Sequence, residues 1–187
     1  MKCNLCKEAS NFNEGLKGKN ADKTRLMFLL NHSDLRVQEH LWGYDSAFAV
    51  SASGVILGKA LSHCKLDFDD VYITNLVKCC FPRNREPTTQ EYRNCVQVFN
   101  QQLADFQPRA LVVFGNHPYY TLFCPDGGTD FSQSVGQFRT YQHVPTLISY
   151  HPSRIWALLN PVNQVTHFDS IKKFLTDNMR GVGIEPT

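Results

Sequence analysis

The stretch DVYITNLVKC, Asp70 to Cys79, opens with a short apolar, partly β-branched run, Asp70 to Val77, and carries Asn75, Lys78 and Cys79 toward its end. Its length and composition suit a buried strand, and its chemistry-bearing residues then fall at the strand's carboxyl end. Working outward, three more runs of this kind appear: Arg25 to Leu30, Ala110 to Phe114 and Pro145 to Tyr150. Helix-like stretches lie between and after them: Ser53 to His63, Thr89 to Phe106, His117 to Phe123 and Phe168 to Met179. Thr88 or Thr89 can cap the second of these, with Glu91 near its positive end. Strands alternating with helices predict an α/β layered domain with a largely parallel sheet. Asn11 to Lys23 reads as a surface loop, with order beginning near Thr24, and Asp126 to Gln133 as a loop or hairpin region.

At 187 residues, 42% hydrophobic and 19% charged, the chain has the make-up of one globular domain, taken as residues 1–187. A net charge of +2 does not announce a nucleic-acid binder, so any basic footprint must be local. The apolar runs, such as Leu26 to Leu30, are too short to span a bilayer, and no leading stretch resembles a signal peptide. A cytoplasmic monomer with no membrane partner is expected. In that compartment seven cysteines are a poor disulfide framework, which brings metal or cluster ligation forward.

Cys3 and Cys6 form a C-x-x-C pair, while Cys79 and Cys95 lie far off in sequence. Four thiolates suit zinc or an iron-sulfur cluster alike, and the plain alternative is buried cysteines acting as small hydrophobes. Cys79 and Cys80 compete, because neighbours in an extended chain point to opposite sides. Cys64 and Cys124 carry no ligand pattern.

In parallel sheets ligands gather beyond the carboxyl ends of the strands. The segments there are Asn31 to Asp34, Asn75 to Cys80, Gly115 to His117 and His151 to Ile155.

Read together, ITNLVKC (Ile73 to Cys79), PRNREPT (Pro82 to Thr88), Cys95, LVVFG (Leu111 to Gly115) and YHPS (Tyr150 to Ser153) resemble the iron-sulfur uracil-DNA glycosylases, family 4 of their superfamily. The resemblance implies a three-layer αβα sandwich with a central four-stranded, mainly parallel sheet. It also implies a 4Fe-4S cluster on Cys3, Cys6, Cys79 and Cys95, which leaves Cys80 out, and a DNA partner from which a base is excised. Asn75 matches the family's pyrimidine-reading asparagine, its amide offering donor and acceptor to a flipped base. His151 matches the histidine that stabilises charge on the departing base.

The first motif departs from the family. Where members carry G-E-A-P-G, this chain has Leu30, Asn31, His32, Ser33 and Asp34. Asn31 can hold a water through its carbonyl oxygen, as asparagine does in other branches, but cannot act as a general base. Asp34 is an alternative source of a carboxylate, or a helix cap. Phe48, and alternatively Tyr44, is the candidate stacker on the flipped base, with a core role as the plain reading of Phe48. The stretch from Asn31 to Gly54 is about five residues longer than the family pattern, and the position that guards C5 of the base aligns with Val37, suggesting a larger pocket.

Arg83, Asn84 and Arg85, between two cluster ligands, and Ser153 and Arg154, after His151, are candidates for the DNA backbone. Ile155, Trp156, Leu158 and Leu159 are candidate wedges for the gap left by the base, with Leu158 representative. Lys78 would neutralise the cluster or contact phosphate.

The implied activity is a monofunctional DNA glycosylase leaving an abasic site. Its base is uracil or a modified pyrimidine, including the bulky C5-modified cytosines of some phage genomes, for which the role would be antiviral defence rather than repair. The alternatives are a catalytically silent iron-sulfur DNA-binding protein of the same fold and an unrelated zinc protein.

Overall fold

The computed structural model describes residues 3, 5, 6, 12–32 and 51–179. Its elements are β1 (Leu16–Lys17), α1 (Ala21–Thr24), β2 (Leu26–His32), α2 (Ala52–His63), β3 (Val71–Val77), α3 (Thr89–Phe106), β4 (Ala110–Phe114), α4 (Asn116–Phe123), α5 (Phe131–Ser134), β5 (Phe138–Tyr141), β6 (Val144–Ser149), α6 (Pro152–Leu158) and α7 (Pro161–Met179). Single 3-10 turns sit at Phe68–Asp70 and Pro82–Asn84.

The four expected strands form the parallel centre of the sheet, in the order β3-β2-β4-β6. The sheet nevertheless has six strands, because β1 pairs antiparallel with β3 and β5 antiparallel with β6 at the two edges. The expected four-stranded count is corrected accordingly. β1 is two residues long, too short for any hydrophobic period, and β5 is largely exposed. The hairpin joining β5 to β6 turns through Gln142 and His143, both at positive φ, without the glycine or asparagine that usually announces such a turn.

Alternation along the buried strands feeds two cores. Phe28 and Leu30 of β2, with Val112 of β4, face α2 and α7 through Ile56, Leu57, Ile171 and Phe174. Met27 and Leu29, with Leu111 and Val113, face α3 and α4 through Tyr92, Phe99, Leu103 and Tyr119. Helices on both faces of a parallel sheet are the three-layer arrangement expected. Helix α3 is fixed at its start by a reciprocal capping box. The Thr88 hydroxyl accepts from the Glu91 N–H, and the Glu91 carboxylate accepts from the Thr88 N–H at 2.7 Å.

Two segments are more ordered than their sequence suggests. Residues 12–23 carry β1 and α1, with Ala21 fully buried, instead of forming only a surface loop. The stretch after His151, whose sequence carries no helix signal besides Pro152, is helix α6, started by that proline at its first position. No helix among the described residues is long and apolar enough to cross a membrane.

Candidate functional site

The carboxyl ends of β2, β3, β4 and β6 bring together Asn31 and His32, Asn75, Gly115 and His151. Asn75 stands opposite Leu30 in the β2-β3 register, and His32 opposite Val77. Side-chain alternation puts His32 on the face of Leu30, and Asn31 on the other face, toward α3. There the Tyr92 hydroxyl donates to the Asn31 Oδ1 at 2.7 Å. Tyr92 itself lies parallel to the His117 ring, 5.3 Å between centroids. Burial holds the Tyr92 phenol protonated, well above its ordinary range, so it acts as a donor.

His151 is the most constrained group. It caps α6, its Nδ1 accepting from the Ser153 hydroxyl at 2.8 Å and from the Ser153 backbone N–H at 3.4 Å. A backbone N–H can only donate, so Nδ1 carries the lone pair and Nε2 the proton. Burial, and secondarily the charge of His32, push its pKa down to about 4. His151 is therefore a neutral imidazole presenting an Nε2–H. His32 in turn pairs with Glu86 through Nε2 at 3.2 Å.

Gly115 gives His151 its room. Its backbone, at φ 94° and ψ 166°, lies in a region open essentially to glycine alone, and a Cβ there would stand 3.3 Å from the His151 Cβ. Gly115→Ala is expected to cost about 1–3 kcal/mol of stability and to lower turnover by displacing His151. Urea unfolding and single-turnover rates check this, and an unchanged midpoint would refute it.

The candidate DNA contacts separate on inspection. Arg83 and Arg154 are exposed. Arg85 is held in a two-pronged pair with Glu91, at 2.8 and 2.9 Å, and lies over the Phe81 ring at 4.4 Å, which makes it the anchor of its loop. Ser153 spends its hydroxyl on His151. Lys78 is wholly buried, donating to the Thr74 hydroxyl and the Asn75 carbonyl, so it does not reach phosphate. Among the wedge candidates Ile155 is a core residue at 1% exposure and Leu159 packs against the same core, whereas Trp156 is 63% exposed with Lys59 above its ring. The Leu158 side chain, Phe48, Tyr44, Asp34 and Val37 lie outside the described residues.

The roles of Tyr92, His117 and Glu86 escaped sequence reading. Tyr92 and His117 carried apolar or strand-end positions with no motif around them, and Glu86 sat inside a motif read for its arginines.

The cysteines of the candidate cluster come from three segments: the amino-terminal stretch, the turn after β3, and α3. Asn94 of α3 donates to the Leu5 carbonyl at 3.2 Å and to the Cys6 Sγ at 3.6 Å, tying the first segment to the helix. Burial, then the neighbouring thiols of Cys95, Cys3, Cys6 and Cys80, push the Cys79 thiol up to about 12. All four are free thiols. Among the described residues no three His, Cys, Asp or Glu side chains are already gathered as a single-ion cage. Cys80 is buried in the interior at 1% exposure, and Cys64 lies in the core, where burial raises its thiol to about 11. A donor set of four free thiols carried by three segments fits, by its chemistry, a thiolate-held centre.

The family model of the uracil DNA glycosylase superfamily matches residues 18–175. The chain is 36% identical over 74 residues to the type-4 uracil-DNA glycosylase of Archaeoglobus fulgidus, covering 40% of this chain and 37% of that protein. It is 29% identical over 140 residues to the type-4 uracil-DNA glycosylase of Saccharolobus solfataricus, covering 71% and 60%. It is 36% identical over 83 residues to the type-5 uracil-DNA glycosylase of Pyrobaculum aerophilum, covering 44% and 36%. The matched stretches thus span between about a third and three-fifths of the curated relatives' length.

Proposed function

Since the chain belongs to the uracil DNA glycosylase superfamily, we propose that it is a monofunctional DNA glycosylase that hydrolyses the N-glycosidic bond of a flipped pyrimidine and leaves an abasic site. The observation that carries this reading is His151, held neutral with its proton on Nε2 at the end of β6. A glycosidic bond is out of reach inside the duplex, so the base must leave the stack. Asn75 then reads its pairing edge. As the bond to the sugar lengthens, negative charge gathers on the base's O2, and the His151 Nε2–H donates to it. A preorganised donor in a buried site is worth far more here than in water. Asn31, whose carbonyl already accepts from Tyr92, orients the attacking water with its remaining lone pair.

Arg83 and Arg154 hold the DNA backbone, and Trp156, the exposed aromatic of α6, fills the gap left by the base, Leu158 being the alternative. Cys3, Cys6, Cys79 and Cys95 hold a 4Fe-4S cluster, which when bound staples the amino-terminal stretch and the turn after β3 to α3. Uracil is the base named for the relatives. The longer stretch from Asn31 to Gly54, Phe48 and Tyr44 included, supports a C5-modified cytosine as substrate and a role in defence against phage. It supports these as a matter of sequence.

A second reading is favoured by one observation: an amide at position 31 takes no proton, which suits a silent DNA-binding protein of the same fold. The discriminating experiment incubates purified protein with oligonucleotides carrying uracil, 5-hydroxymethylcytosine or glucosylated cytosine, then cleaves abasic sites with alkali. Product on at least one substrate is expected. No product on any would overturn the enzyme reading.

A further inference from the structure

Among the buried side chains described, Lys78 is the only lysine, at 0% exposure, and the mechanism above gives it no task. Burying a lysine is costly, through desolvation of its charge or through loss of its proton. Both groups to which it donates are neutral, the Thr74 hydroxyl at 2.7 Å and the Asn75 carbonyl. A methionine would fill the same space without that cost, so packing alone does not account for a lysine here. What a methionine lacks is the donor, which an amine keeps in either protonation state.

The place of that donor gives it a use. In its register with β3, β1 reaches only as far as Ile73, while β3 runs on to Val77. Beyond Ile73, β3 therefore has a strand partner on one side only among the described residues. Lys78 follows directly, and its side chain folds back to the main chain of Asn75 and to Thr74. Lys78 is itself anchored. Its carbonyl accepts from the Asn13 N–H at 2.8 Å, and Thr74 donates onward to the Glu14 carbonyl at 2.8 Å. Nζ stands 5.7 Å from the centroid of the Phe99 ring, on the α3 face of the sheet. Alternation along β3 puts Thr74 on that same face and the Asn75 side chain on the other. The lysine thus holds the Asn75 main chain from the side away from its amide.

We infer that Lys78 is a positioning residue for base reading: by fixing the Asn75 carbonyl it sets the stretch of backbone from which the Asn75 amide projects. The inference rests on the glycosylase reading above and on the role given there to Asn75. Reading by one amide is sensitive to direction, because a hydrogen bond weakens steeply as its angle closes. Lys78 precedes Cys79 in the chain, so the turn that carries the cluster ligand and the strand end that carries the base reader are set by one side chain.

The test uses the full chain, with single-turnover rates measured at rising protein concentration on whichever oligonucleotide the wild type cuts. Lys78→Met is expected to lower the maximal rate by about tenfold, with half-saturating concentration and iron content unchanged. Asn75→Ala is expected to lower it by about 100-fold. The double variant should match Asn75→Ala within about twofold, because the lysine acts through the asparagine, whereas a merely structural lysine would multiply the two losses. Lys78→Gln keeps a donor on a shorter stem. It should lie between Lys78→Met and wild type, and it takes over the comparison if Lys78→Met does not fold. An active wild type with Lys78→Met within about twofold of it, or a double variant about tenfold slower than Asn75→Ala, overturns this inference alone. So does loss of iron from Lys78→Met, or failure of both lysine variants to fold, either of which would make Lys78 a post of the scaffold. A wild type that cuts nothing overturns the glycosylase reading and this one with it.

Discussion

Replacing His151 by glutamine or alanine is expected to lower single-turnover cleavage by about 10²–10³-fold and leave DNA affinity unchanged. The size follows from what the residue supplies, a preorganised donor aimed at charge that appears only as the base departs. Such a group is silent in the ground state and acts in the transition state, so the loss falls on turnover and not on binding. The same side chain makes a prediction about stability. Its folded-state pKa is about 4 against an ordinary 6.5, so between those values the unfolded chain binds the proton and the folded one does not. The contribution of His151 is therefore fully present above about pH 6.5 and is lost as the pH falls toward 4, by roughly 3 kcal/mol. His167, half-buried against the Ser149 hydroxyl and also shifted downward, adds to the acid sensitivity in the same direction. Urea midpoints measured at pH 7.5 and pH 5 should drop steeply for wild type and less for His151→Gln. Equal drops in the two proteins would mean that His151 is not buried neutral, and the donor argument would go with it.

What could be seen in the sequence and what could not divides along physical lines. The four central strands were legible because each is buried on both faces and so reads as an unbroken apolar run. The edge strands β1 and β5 were not, since Leu16–Lys17 is too short for a period and the Phe138–Tyr141 strand is largely exposed. The places of Asn75, among the last residues of β3, and of His151, just after β6, were legible because each sits near the carboxyl end of such a run. The partners that decide what those groups do were not. Tyr92 looked like one more apolar residue of an amphipathic helix, yet its hydroxyl occupies Asn31. Arg85 looked like a phosphate ligand, and its charge is answered six residues on by Glu91. Ile155 and Trp156 were indistinguishable as wedges until α6 formed and turned one inward and the other out. In each case the residue type was informative and the direction of the side chain, which is set by packing between elements far apart in sequence, was the missing quantity.

The cysteines give the other large expectation, and it separates neighbours. Cys79→Ser and Cys95→Ser should each lose most of the bound iron, together with a broad absorption band at roughly 400 nm expected of thiolate-bound iron, whereas Cys80→Ser should keep both. The contrast tests geometry: Cys79 and Cys80 are adjacent, but Cys79 is partly exposed whereas Cys80 is buried in the interior at 1% exposure. Cys64→Ser controls for lost packing, because Cys64 is as buried as Cys95 and belongs to the core against α2 and α7. Losing the centre should cost several kcal/mol, since a thiolate-held centre that joins three segments contributes its binding free energy to folding. The cost should be local as well as global. Asn94 ties the amino-terminal stretch to α3 through Leu5 and Cys6 by two hydrogen bonds, so amide exchange near Cys3 and Cys6 should accelerate before that of β2 or β4. The turn carrying Arg83 shares that anchorage, and DNA affinity should fall with it. A colourless wild type containing zinc would overturn the iron-sulfur assignment while leaving the four ligands standing. A Cys80→Ser protein that loses its colour while Cys79→Ser retains it would instead show that the turn after β3 presents the other thiol.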